Sequence, residues 1–392
     1  MPSESAERSA AGLFSAGFRP FFVLSALWAA LAIPAWLCVY TGRVVLESAL
    51  PPTVWHAHEM IHGYAFAAVA GFLLTAIPNW TGRLPVRGAP LAALAFLWLA
   101  GRFAVLCSAT IGAGVAALAD LAFPAVFAGV VARELVAGRR WKNVPMLAAL
   151  WLMLAASLLV HLEALGLAQT APAGNRLGIA TLCLLIALVG GRIVPSFTRN
   201  WLAKHRPEGR MPTQADRFDL AAMAATLAGL GAWVAAPESS LSAWLQLAAG
   251  VAVAARLSRW RGLATFAEPL VIVLHAGYGW LAIGLALLGI SGLTGAVPPA
   301  AALHAITVGA VGTMTLAVMT RATLGHGGRA LTAGRGTVVV YALVTLAAVL
   351  RVAAPLAGTH ALSLTLGAGI AWSAAFLLFA LLYGEALIGG RR

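Results

Sequence analysis

The chain has 392 residues, 61% of them hydrophobic and only 10% charged, with a formal net charge of +13. Soluble globular domains carry about 25% charged residues, so these proportions exclude a water-soluble fold and point to lipid as the solvent. The positive excess does not indicate nucleic acid, because the basic residues fall in short clusters between apolar runs rather than in one patch.

A helix needs ~20 apolar residues to cross a hydrocarbon layer of ~30 Å. After a polar tail over residues 1–17, with no cleavable signal pattern, such runs lie at 19–40, 56–77, 90–111, 114–136, 145–168, 177–196, 218–236, 240–258, 269–290, 300–320, 337–356 and 361–386. Pro and Gly mark the seams, as in Pro51-Pro52, Pro85 to Pro90 and Pro298-Pro299. The expected fold is therefore all-α: one polytopic membrane helical bundle of about twelve transmembrane helices, with no separate soluble domain. The longest polar stretch, about 197–217, is too short to bury a core of its own and reads as a central cytoplasmic loop.

Charge placement fixes the orientation. Loops after even-numbered runs carry Arg83 and Arg87; Arg139, Arg140 and Lys142; Arg199, Lys204, Arg206, Arg210 and Arg217; Arg256, Arg259 and Arg261; Arg321, Arg329 and Arg335. Arg391 and Arg392 close the chain, while loops after odd-numbered runs hold a single arginine each where they hold any: Arg43, Arg176 and Arg351. The positive-inside rule then places both termini in the cytoplasm, and the expected location is the bacterial inner membrane, multi-pass.

Ionisable groups at membrane depth are costly and usually functional. The second run opens with Trp55-His56-Ala57-His58-Glu59-Met60-Ile61-His62-Gly63, which sets three imidazoles and a carboxylate at its outer end. On an α-helix His58 and His62 share a face, as do His56 and Glu59. Neutral imidazole suits iron, copper or zinc, and a neighbouring carboxylate can orient a ligand imidazole. His304 lies about one turn into the tenth run, on the same outer side. Histidines from two helices can clamp a haem iron, so His56 or His58 with His304 are the expected axial pair. His275, in the ninth run, and His326, in Gly325-His326-Gly327, are further ligand candidates; His161 and Glu163 read as packing or interface residues, and His205 and His360 as loop residues.

Among buried charges, Arg102 and Asp120 fall at similar depth on adjacent antiparallel runs, where they pair with each other or Arg102 binds a haem propionate. Arg192 is the other propionate candidate. His58-Glu59-Met60-Ile61-His62 also fits the HExxH pattern of zinc proteases, which an intramembrane protease could use. A third alternative is a cofactor-free transporter with a polar path through Arg102, Asp120, Arg192 and Glu268. Cys38, Cys107 and Cys183 lie in apolar runs without CxxC spacing and read as packing residues.

Several strings in this order resemble the NnrS family of haem- and copper-containing bacterial membrane proteins. They are Gly17-Phe18-Arg19-Pro20-Phe21-Phe22, Trp55-His56-Ala57-His58-Glu59-Met60, Gly71-Phe72-Leu73-Leu74-Thr75-Ala76-Ile77-Pro78-Asn79-Trp80-Thr81-Gly82, Gly191-Arg192-Ile193-Val194-Pro195-Ser196-Phe197-Thr198 and Val318-Met319-Thr320-Arg321-Ala322-Thr323-Leu324-Gly325-His326. The resemblance implies twelve spans, haem b and copper, nitric oxide or another diatomic as ligand, and a role in the nitric oxide and nitrosative stress response, often near denitrification. It also implies an aromatic residue at the position of His62, which makes HExxH an accident of this chain. The arrangement of spans and outer-side histidines resembles the catalytic subunit of haem–copper oxidases. The sixth and seventh runs hold no histidine, so the copper-binding trio of those enzymes is missing.

Overall fold

The computed structural model describes residues 12–389. The expected N-terminal tail falls mostly outside the described residues, as do Arg391 and Arg392; a short turn at Leu13–Ser15 precedes the first long helix. The described chain is helical with no strand.

Twelve helices are long and apolar enough to cross a membrane. In chain order they are α1 Phe18–Tyr40, α2 Pro52–Thr81, α3 Ala89–Leu106, α4 Ala113–Ala137, α5 Trp141–Ala164, α6 Ala171–His205, α7 Arg217–Ala235, α8 Ser240–Ser258, α9 Pro269–Thr294, α10 Pro299–His326, α11 Arg335–Leu356 and α12 Gly358–Ile388. Each predicted run falls on one of them. Pro52, Pro269 and Pro299 sit at the first residue of α2, α9 and α10, where a missing N–H costs no helical hydrogen bond. Gly82 stops α2 in the left-handed region at φ 72°, and its N–H caps the carbonyl of Pro78.

Three boundaries differ from expectation. The third helix stops at Leu106 rather than 111, because Cys107 leaves helical geometry and only a short turn, Ser108–Ile111, follows before Gly112. The sixth runs on to His205, so the central loop shrinks to 206–216. The amphipathic tail of that helix carries Arg199, Lys204 and His205, which masked its helicity from a search for apolar residues alone. His326 stands in the last turn of α10 instead of in a loop.

The chain divides into two compact units. The first comprises Met1–Thr181, Met319–Ala330 and Phe376–Arg392; the second comprises Leu182–Val318 and Leu331–Ala375. In the first unit Arg19 donates to the carbonyl of Gly389 at 2.6 Å, joining the two ends of the described chain. Phe21, Phe66, Phe123 and Phe127 interlock in its core, with ring centroids 5.5 to 6.0 Å apart. Leu50, Trp55, Val105, Val160 and Ala171 form an apolar plug at the end of α2 that bears the histidines.

In the second unit α7 and α8 are fastened at one end by ion pairs. Asp216 caps α7 through a reciprocal capping box with Asp219. Arg259 donates to both Asp216 oxygens, one of them at 3.0 Å, and Arg256 Nε donates to Asp219 Oδ1 at 2.7 Å. The Arg259 guanidinium holds the Asp216 carboxyl below the usual carboxylate range, and the carboxylate in turn raises Arg259.

A buried histidine and carboxylate cluster as a candidate metal centre

α2 is not a uniform helix. It is α-helical over Pro52–His58, widens to a π-helix over Glu59–Ala65, and resumes as α-helix over Phe66–Thr81. π-segments are rare and cluster at functional sites. Here the segment begins at the residue after His58 and contains Glu59 and His62. Two more follow: Ile186–Gly190 in α6, and Ala305–Gly312 in α10, which begins directly after His304.

Around the α2 segment the first unit gathers a fully enclosed polar cluster. Arg102 of α3 donates through Nη1 to Glu59 Oε1 at 2.7 Å and through Nη2 to Asp120 Oδ1 of α4. The expected Arg102–Asp120 pair therefore forms, and Glu59 joins it. Asp120 Oδ2 accepts from Ser157 Oγ of α5 at 2.7 Å and lies 2.9 Å from His161 Nε2 and 3.2 Å from His58 Nε2. His58 Nδ1 lies 3.3 Å from Glu59 Oε1. His58 and Glu59 are 0% exposed, and Asp120, His161 and Arg102 no more than 3%, so water does not solvate these charges.

Removing Arg102 from such a set would leave two enclosed carboxylates without a guanidinium. Two features bear on chemistry. The ligand atoms of His58, Asp120 and His161 all lie within 4.8 Å of one another, close enough to hold one metal ion. Both ring nitrogens of His62, the Nε of Arg102 and the Oε2 of Glu59 are buried yet make no hydrogen bond among the described residues. His62 stacks obliquely on His58, with centroids 4.8 Å apart.

The HExxH string does not keep α-helical spacing. From Glu59 onward the turn is a π-turn, and the imidazole whose ligand atom groups with those of His58 and Asp120 is that of His161 of α5. Glu59 is engaged by Arg102 through the oxygen nearest His58. His161 read as a packing residue in the sequence. Its spacing of four from Ser157 on one helix face was the available signal, but nothing local showed that the face meets Asp120.

The other expected residues are not among the hydrogen-bond or ion-pair partners described for this cluster. His56 stacks on Trp36 at 4.7 Å between centroids. His326 is exposed and lies 5.7 Å from the Phe18 ring. In the second unit the His304 Nδ1–H donates to the carbonyl of Ala300 at 2.6 Å, which leaves Nε2 as the ring's unprotonated nitrogen. His275 Nε2 meets Thr198 Oγ1 at 2.8 Å; Thr198 also donates to Val194, so the imidazole supplies the proton. A Cβ on Gly262 would come within 2.5 Å of His275 Nδ1, so only glycine admits that ring. Arg192 is exposed, and Glu268 caps the start of α9 by accepting from the Leu270 N–H at 3.1 Å. Arg256 also donates to Tyr278 Oη and to the carbonyl of Ala187, both at 2.9 Å, bracing the π-segment of α6.

The family model described as NnrS protein matches residues 12–391. No curated protein matches the chain.

Proposed function

This chain belongs to the NnrS family, and we propose on that premise that it is a metal- and haem-binding protein of the bacterial inner membrane that serves the nitric oxide and nitrosative stress response. The observation that carries the reading is the convergence of His58, Asp120 and His161 within 4.8 Å in a sealed interior. Two imidazoles and a carboxylate suit divalent first-row metals, copper(II) among them. The residues fit such an ion: the His58 imidazole is already oriented through Nδ1 by Glu59, a carboxylate outside the ligand group, as metal-bound histidines usually are. When bound, the metal supplies a Lewis-acidic centre for a small ligand such as nitric oxide or another diatomic.

The haem belongs to the same proposal on separate residues. His304 donates through Nδ1 to Ala300, so its Nε2 would be the nitrogen to hold a haem iron. His58 pairs with Glu59 and Asp120, and His56 is the haem histidine of α2 in this reading. Arg102 is committed to two carboxylates, so a propionate falls to Arg192.

Protein purified in detergent tests this directly by optical spectroscopy and metal analysis. A Soret band together with bound copper, iron or zinc is expected. His304→Ala should lose the Soret band and keep the metal, while His161→Leu should lose the metal and keep the band. Protein with neither cofactor would support the transporter, and zinc without haem the protease; either result would overturn the proposal.

A further inference from the structure

Three buried groups crowd one oxygen of Asp120. Its Oδ2 accepts from Ser157 Oγ at 2.7 Å and has His161 Nε2 at 2.9 Å and His58 Nε2 at 3.2 Å. A carboxylate oxygen offers two lone pairs, so hydrogen bonding alone leaves one of the three unmatched. That one is His58. Its Nδ1 faces Glu59 Oε1 at 3.3 Å, which puts the proton of a neutral ring there and turns the Nε2 lone pair towards Asp120. Ser157 Oγ lies 3.4 Å from the same Nε2, but its single proton goes to Asp120. Two lone-pair atoms held this close call for a cation between them.

The separations have the size that a metal ion requires. In a tetrahedral site with bonds of ~2.0 Å, neighbouring donor atoms stand ~3.3 Å apart. The contacts of Asp120 with His58, His161 and Ser157, and of Ser157 with His58, span 2.7 to 3.4 Å. His58, Asp120 and His161 supply three donors. Water does not reach the fourth position: His58 and Ser157 are 0% exposed, and the gap along His62, Arg102, Asp120 and Ser157 is too narrow for a water molecule. Ser157 Oγ is already in place. It stands four residues before His161 on α5, on the same helix face, and its oxygen keeps lone pairs after donating its proton.

Resting on the metal reading above, we infer that Ser157 is the fourth ligand of the metal. Its hydroxyl oxygen completes a tetrahedral set with His58 Nε2, Asp120 Oδ2 and His161 Nε2, and the set takes a divalent first-row ion that accepts nitrogen and oxygen donors. The ion is then enclosed on all sides by protein donors. A small ligand reaches it only by displacing the serine, whose side chain is the shortest of the four and carries neither a carboxylate nor an imidazole.

The test uses the full chain in detergent, stripped with a chelator and reloaded with cobalt(II). The readout is X-ray absorption at the cobalt K edge, to which haem iron does not contribute. His161→Leu, run alongside, sets the background from cobalt bound elsewhere. Wild type should show only nitrogen and oxygen neighbours. Ser157→Cys sets a softer atom in the same place and should bring one sulfur to ~2.3 Å from cobalt, a metal–thiolate bond length. Ser157→Ala should bind cobalt roughly tenfold more weakly or worse, since a lost ligand costs at least as much as a lost outer partner. Cobalt bound by Ser157→Cys without a sulfur neighbour, or wild-type affinity in Ser157→Ala, overturns the serine ligand and leaves the three-residue metal site standing. Failure of the wild type to bind cobalt removes the metal reading and the serine ligand together.

Discussion

Arg102 is the residue on which the buried cluster balances. Its guanidinium bridges Glu59 and Asp120 at once, and neither carboxylate has another guanidinium or ammonium among its hydrogen-bond partners. Replacing it with methionine fills the space but strands two enclosed negative charges, which should destabilise the protein by about 3–5 kcal/mol. Thermal unfolding in detergent measures this. The triple variant Arg102→Met, Glu59→Gln, Asp120→Asn should recover much of the loss, because it removes the charges along with their partner. A single Arg102→Met variant as stable as wild type would show that the cluster is not ionised as described. Half of this arrangement was legible in the sequence. Arg102 and Asp120 could be matched in depth because adjacent helices run antiparallel and each rises by a fixed amount per residue. Glu59 and His161 could not be added, since depth alone says nothing of the rotation of a helix about its axis, and the π-segment of α2 alters that rotation for every residue after His58.

At the scale of a helix, that π-segment is held in place by close packing against α1. A Cβ added to Gly63 would lie 2.4 Å from Trp28 Nε1 and 3.1 Å from Glu59 Oε2. The Trp28 ring meets Trp98 edge-on, with centroids 5.6 Å apart, and the Trp98 N–H donates to the Gly63 carbonyl at 3.2 Å, so Trp98 blocks the ring on that side. Gly63→Ala should therefore cost about 1–3 kcal/mol by overpacking, seen as a lowered melting temperature, even though alanine favours helix over glycine. In the second unit the joint between α7 and α8 should respond to acid. Since Arg259 depresses the Asp216 carboxyl, the bond contributes stability at any pH above the ordinary carboxylate range. That contribution is lost as the pH falls through the lowered value, where the folded state too takes up the proton. Asp216→Asn should thus melt below wild type at neutral pH, and the gap should close in strong acid. Helix existence was readable throughout from run length. The π-segments were not, because a single extra residue in a turn leaves no mark on composition.

For the molecule as a whole, the alternation of basic and neutral loops predicts which side of the membrane the buried cluster lies nearer. His58 follows Pro52 by six positions and Asp120 follows Ala113 by seven, while His161 precedes Ala164 by three. At ~1.5 Å per residue all three fall within about 10 Å of one face of the hydrocarbon layer, the face where α2 and α4 begin and α5 ends. The positive-inside rule predicts that the arginine-rich loops after even-numbered helices face the cytoplasm, opposite the ends of α2, α4 and α5 that carry these three residues. The cluster should then sit close to the outer surface and exchange ions and small ligands from that side. Cysteine labelling tests the premise. In a variant lacking Cys38, Cys107 and Cys183, Ala296→Cys marks the exposed loop after α9, and Glu208→Cys the exposed loop after α6. A membrane-impermeant maleimide applied to spheroplasts should modify the cysteine at 296 at once and that at 208 only after permeabilisation. The reverse pattern would turn the whole chain over and put the metal group at the cytoplasmic face. Its own residues would be undisturbed, but the compartment that supplies its metal and its ligand would change.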